Sequence, residues 1–146
     1  MKKKIFVSVI IFLIILATSI FVYLDSSKIR RICINDNCFK VEIADNQASR
    51  ETGLMNRESL ELNQGMLFVF EDNSQHGFWM KNTLIPLDMI WISENKEIVA
   101  IKKDAQPCLT EDCLVIVPKA DSKYVLEINS NLSEQLEFKL GDKVKF

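Results

Sequence analysis

The sequence predicts a mainly β fold: a small antiparallel sheet curled into a barrel or roll, with one or two short helices, preceded by an N-terminal transmembrane helix. Three observations predict it. Phe39, Val41 and Ile43 fall on one face of an alternating segment, and Tyr124, Leu126 and Ile128 on one face of another, the period of a strand. Polar, turn-forming stretches such as Asn35-Asp36 and Glu94-Asn95-Lys96 separate these segments. Ahead of them, Ile5 to Leu24 runs for 20 residues without a charge. At about 1.5 Å per helical residue that run matches a bilayer's hydrocarbon core.

Residues 1–24 form the anchor. Lys2-Lys3-Lys4 precede the apolar run and hold the start of the chain in the cytoplasm, which places residues 25–146 on the extracytoplasmic side. Ala17-Thr18-Ser19 offers small residues of the kind a signal peptidase cuts after, so release as a secreted domain is the alternative. Retention is the expectation, because Ile20 to Leu24 continue the apolar run past that point.

Residues 25–146 are the length of one domain. The alternation predicts a strand pair over Ile29–Ile34 and Cys38–Ala44, with Phe39, Val41 and Ile43 on one face. Asp45 offers a cap to a short helix through Thr52, and Gly53 can end it. Gly65–Phe70 is a strand with two apolar faces, hence central. Glu71–Gly77 reads as a polar loop and Phe78–Met80 as a brief strand, with Pro86 limiting its ladder. Met89–Ser93 and Glu97–Lys102 flank a hairpin turn, Val115–Val117 is short, and Tyr124–Ile128 is a strand. A last short helix over 131–138 precedes a final strand at Lys143–Phe146.

The anchor carries three of the 18 basic residues and none of the 20 acidic ones, leaving residues 25–146 with a net charge near −5. That balance excludes nucleic acid as a partner, which requires a basic surface. Lys28, Arg30 and Arg31 make a small basic cluster beside the anchor, read as a solvated linker.

Four cysteines fall in two pairs of equal spacing, Cys33/Cys38 and Cys108/Cys113. An even count in an exported domain reads as disulfides. With Asn35-Asp36 as a two-residue turn, Ile34 and Asn37 form the hydrogen-bonded pair beside it. Cys33 and Cys38 then form the next, closer pair, which suits a bridge. Thr110-Glu111 is a poor turn, so the second pair closes either a hairpin or a looser loop. Zinc sites use tighter cysteine pairs, and the two-residue spacer of redox-active pairs is missing. The methionines Met55, Met66, Met80 and Met89 with His76 have the soft donors of a copper(I) site, yet beside Leu and Phe they read as core filler. No metal and no cofactor is expected.

Lys81, Asn82, Thr83 and Asp88 are the best polar constellation, with Arg50 and Glu127 as additions and Trp79 beside them. Lys81 can hold an anionic ligand that Asn82 and Thr83 hydrogen-bond, while Asp88 orients the lysine. The same residues suit a structural role better: Asn82 and Thr83 in a side-chain-capped turn, Asp88 satisfying local N–H groups, Glu127 on a solvent face. The lone His76 sits in a polar loop and reads as solvated. No Ser-His-Asp set with motif context, phosphate-binding glycine loop or two-histidine metal motif is present.

Arg50-x-x-Gly53-Leu54-Met55-x-Arg57, Gly65-Met66-Leu67-Phe68, Trp79-Met80-Lys81-Asn82-Thr83-x-x-Pro86-Leu87-Asp88, Pro107-Cys108 and Tyr124-Val125-Leu126-Glu127 carry a resemblance to the family known as domain of unknown function 192. It covers residues 41–144 and leaves the Cys33/Cys38 hairpin outside. The resemblance implies a compact, mostly β, exported or anchored domain, and it supplies no catalytic residues. The chain departs from the family at Asn129-Ser130-Asn131, where a glycine is usual. Asparagine also adopts left-handed backbone angles, so a shifted turn is expected there.

The sequence therefore points to a membrane-anchored module that binds a small ligand or peptide near Lys81, Asn82 and Trp79. The alternatives are a hydrolytic enzyme using Lys81, Thr83 and Asp88 on an envelope substrate, and a structural partner in an envelope complex.

Overall fold

The computed structural model describes residues 11–15, which are helical, and 29–146. The anchor over residues 1–24 lies, apart from those five, outside the described residues. Among the described residues no helix is long and apolar enough to cross a membrane.

Seven strands build the fold: β1 Ile29–Ile34, β2 Asn37–Ala44, β3 Gln64–Ser74, β4 Leu87–Ile92, β5 Ile98–Ala105, β6 Ser122–Asn129 and β7 Val144–Lys145. Two short helices, α1 Gln47–Thr52 and α2 Leu132–Gln135, interrupt them. The sheet runs β5-β4-β6-β3-β2-β1-β7 and rolls into a half-barrel. At one corner its two ends meet: Ile98 N–H donates to Asp142 O at 3.0 Å and Val144 N–H to Lys96 O at 2.9 Å. All pairings are antiparallel except β2 with β3, whose parallel register follows from the crossover through α1. The sheet is thus mainly antiparallel, with that one parallel pair.

The period of two gives the sheet a separate apolar cluster on each face. Leu67 on β3, Ile90 and Ile92 on β4, and Leu126 and Ile128 on β6 point into the roll. Met66 and Phe68, Met89 and Trp91, and Val125 point the other way, under α1 and the long connections. Hence β4 is buried at every position and β3 is central, as its two apolar faces predict.

Local signals fix several boundaries. The β1–β2 hairpin turns at Asn35-Asp36 in the predicted register, and Cys33 pairs with Cys38 at a Cα separation of 4.0 Å. Asn46, not Asp45, caps α1, because its extended backbone lets the side chain accept from Ser49 N–H at 3.0 Å. Gly53 ends α1 with φ +48°, an angle that favours glycine. The strand β3 runs on to Ser74, through the expected loop at 71–77. Phe78–Met80 and Val115–Val117 are not regular strands: they meet through one isolated bridge, Phe78 with Ile116, and Lys81 makes a second with Cys108. The second disulfide, Cys108–Cys113, closes a loop rather than a hairpin, with its Cα atoms 5.9 Å apart. The expected last helix shrinks to α2, and its preceding residue Asn131 takes a left-handed φ of +65°.

Candidate functional site

A cleft of about 250 Å³ opens between α1, the turn that follows it, and the segment from Gly77 to Thr83. Each wall comes from a local rule. Even-numbered β3 residues face outward, which delivers Phe68 and Phe70. The sharp exit at Gly53 turns Leu54 and Met55 against them, and a Cβ at Gly53 would come within 3.3 Å of Phe68 Cζ. Phe78 packs edge-on against Phe68 at 4.8 Å and against Trp91 at 6.0 Å between ring centroids. Trp79, next in sequence, points the opposite way and stays 43% exposed at the mouth.

Among the ionic side chains that line this cleft, Arg50 and Glu127 are of opposite character. Arg50 donates from Nη1 to Val69 O at 2.9 Å and lies over the Phe70 ring, 5.3 Å from its centroid. Glu127 sits on β6 between Met66 of β3 and Met89 of β4 and is only 4% exposed. No hydrogen bond from the described residues reaches its carboxyl oxygens, which open on the cleft. Burial alone pushes its pKa up to about 8, so the carboxyl is largely protonated at neutral pH. The expectation of a solvent face for Glu127 is therefore overturned: the second apolar cluster covers that face of β6. Gly65 lets the strands approach here, since a Cβ on it would lie 2.5 Å from Glu127 O.

Of the seven residues singled out from sequence, the fold brings Arg50, Trp79, Thr83 and Glu127 to this one cleft. Thr83 is buried, its hydroxyl 3.4 Å from Lys81 O. Lys81 and Asn82 are not part of the lining. Lys81 Nζ pairs with Glu111 Oε2 at 2.7 Å and sits 5.8 Å from the Trp79 ring centroid. That pairing holds the Glu111 carboxyl below its ordinary range. Asn82 takes a left-handed φ of +53° and bridges the backbone, donating to Cys108 O and accepting from Asn56 N–H.

Asp88 lies on the other face of the sheet, inside the roll. Its Oδ1 accepts from Asp104 N–H at 2.8 Å and Asn131 N–H at 2.9 Å. Its Oδ2 accepts from Ser133 N–H at 2.8 Å and Ser133 Oγ at 2.5 Å. The carboxylate thus pins the bulge where β5 passes β4 and supplies the cap that Asn131's own side chain does not give α2. Lys81, Thr83 and Asp88 consequently form no hydrolytic unit, and Asp88 does not orient Lys81. His76 is not solvated either: its ring stacks on Phe70 at 3.6 Å, and its carbonyl accepts from Trp91 Nε1 at 2.8 Å.

The sequence reading missed Phe68, Phe70 and Leu54 as cleft walls. The available signal was the shared parity of Phe68, Phe70 and Met66 on β3, with Met66 opposite Glu127.

The family model DUF192, described as Uncharacterized ACR, matches residues 30–146. The match takes in the Cys33–Cys38 hairpin, which the resemblance read from sequence left outside. A protein of unknown function from Novosphingobium aromaticivorans DSM 12444 shares the fold with a TM-score of 0.76 and 32% identity, over 81% of this chain and 85% of that one. A Sinorhizobium meliloti 1021 protein, to which a role in transcription regulation has been attributed, gives 0.72 and 33% over 79% and 89%. A Pyrococcus abyssi protein named UPF0127 is 30% identical over 112 residues, 73% of this chain and 86% of the relative.

Proposed function

The chain belongs to the DUF192 family, and from that membership and the cleft's geometry we propose that it is a membrane-anchored, extracytoplasmic module that binds a small ligand. The ligand enters between α1 and the Gly77–Thr83 segment, with Trp79 at the mouth and Glu127 at the floor. One observation carries this reading. Glu127, a residue only 4% exposed, has no hydrogen-bond partner for its carboxyl among the described residues, and it lines a mostly apolar cleft. A ligand with a polar end would give that carboxyl the partner the protein does not supply. Residues that carry the family resemblance, among them Arg50, Leu54, Phe68, Thr83 and Glu127, line the cleft. Its volume suits a molecule smaller than the drug-sized ligands that fill about 300–1,000 Å³.

Export is supported by the two disulfides, which persist in oxidising compartments, and by the 20-residue uncharged run behind three lysines. The net acidic balance of residues 25–146 favours a small molecule over nucleic acid.

A thermal-shift screen of small metabolites on the full chain in detergent micelles tests the reading. Hits are expected to raise Tm, to fade on Trp79→Ala, and to survive Lys81→Ala, whose side chain is engaged by Glu111. Hits indifferent to Trp79→Ala but lost on Lys81→Ala would move the site out of the cleft.

A further inference from the structure

We propose that the ligand of this cleft is a small amine, a primary ammonium on an apolar body, whose charged end seats against the Glu127 carboxylate. The inference rests on the binding role proposed above and names the chemistry that would satisfy it. Three features point to an ammonium. The floor offers one carboxyl without a hydrogen-bond partner among the described residues. The walls offer the aromatic rings of Phe68, Phe78 and Trp79, whose π faces attract a desolvated cation. The competing cation, Arg50, is already held by Val69 O and stacked on Phe70.

The other groups facing Glu127 do not neutralise it. Its strand neighbours on β3 and β4 present Met66 and Met89. From α1 come Arg50 and the exposed Glu51, and from the Gly77–Thr83 segment the uncharged Thr83. Lys81, over the Trp79 ring, is paired with Glu111, and His76 stacks on Phe70. An incoming ammonium would be the cation that completes the site.

Seating has a proton balance. Before an amine binds, the carboxyl is largely the neutral acid at neutral pH, because burial penalises its charge. The ammonium keeps its three hydrogens, the carboxyl gives its proton to solvent, and an ion pair remains in the cleft. Each amine bound near pH 6.5 therefore releases about one proton.

Titration calorimetry of the full chain in micelles, with benzylamine and benzyl alcohol as probes in buffers of different ionisation enthalpy, tests this. Benzylamine is expected to bind at least about tenfold tighter than benzyl alcohol, with about one proton released. Glu127→Gln should abolish both the preference and the release. Because the proton count is read on the unsubstituted protein, it stands even if that variant folds poorly. Equal or tighter binding of the alcohol, or amine binding without proton release, would overturn the amine while leaving the cleft as a ligand site. If neither probe binds, the amine is again overturned, and the sensitivity of the screening hits to Trp79→Ala decides separately whether the cleft binds anything.

Discussion

Two buried acids show how differently one side-chain chemistry can be used. Asp88 and Glu127 sit on adjacent strands, 0% and 4% exposed, yet among the described residues the Asp88 carboxylate accepts four hydrogen bonds and the Glu127 carboxyl none. Asp88→Ala strands the buried N–H and hydroxyl of Ser133 and the part-buried N–H groups of Asp104 and Asn131, so we expect a loss on the order of 3–5 kcal/mol in denaturant unfolding. A change under about 1 kcal/mol would mean that water replaces the carboxylate there. For Glu127 the effect depends on pH. Its folded pKa lies above the usual 4.5, at about 8, so below 4.5 neither state ionises. Between the two values only the unfolded chain gives up the proton, and stability falls as pH rises. Above about 8 the slope ends. The fall is on the order of 5 kcal/mol, and Glu127→Gln should remove it. Parallel pH profiles of the two proteins would refute the burial account. The role of Asp88 toward N–H groups was legible in the sequence as one of two options. The burial of Glu127 was not, because alternation shows that two faces differ and not what covers the second.

Among the elements, the hairpin turn and the helix stop read out well, and the strap over the cleft did not. Asn35-Asp36 and Gly53 announce a turn and a helix stop through backbone angles that few residues accept. Phe78–Met80 has the composition of a strand, but its partners are single residues of a loop held by Cys108–Cys113. Pairing between distant segments leaves no local mark. The polar run Glu71–Ser74 was likewise hidden as strand, since ladder hydrogen bonds are indifferent to side-chain polarity. The Cys108–Cys113 bridge should matter locally. Replacing both cysteines by serine is expected to cost about 2 kcal/mol at most. Amide exchange should quicken at Phe78, Asn82, Cys108 and Ile116, which bond across this strap, and stay unchanged in β3 and β6. Uniform acceleration across the sheet would show that the bridge supports the whole fold. The Arg57–Glu42 pair, at 2.5 and 2.6 Å, ties the turn after α1 to β2. Partial exposure limits it to about 1 kcal/mol or less. It lowers the Glu42 pKa, so that small gain is present above the ordinary carboxylate range and fades as acid is added.

At the scale of the whole molecule, the class of fold was legible because seven short segments and their turns leave few alternatives to a rolled sheet. The parallel β2–β3 pair was not, because a crossover and a hairpin look alike until register is known. The corner where Val144 and Asp142 bond to Lys96 and Ile98 has a further consequence. Two residues of β7 cover both Cys33–Ile34 of β1 and the approach to β5. They serve as a plug against self-association, for an uncovered margin of backbone recruits another chain. Deleting residues 142–146 should turn well-dispersed protein into growing aggregates visible by light scattering, whereas Lys145→Ala, which keeps the backbone in place, should not.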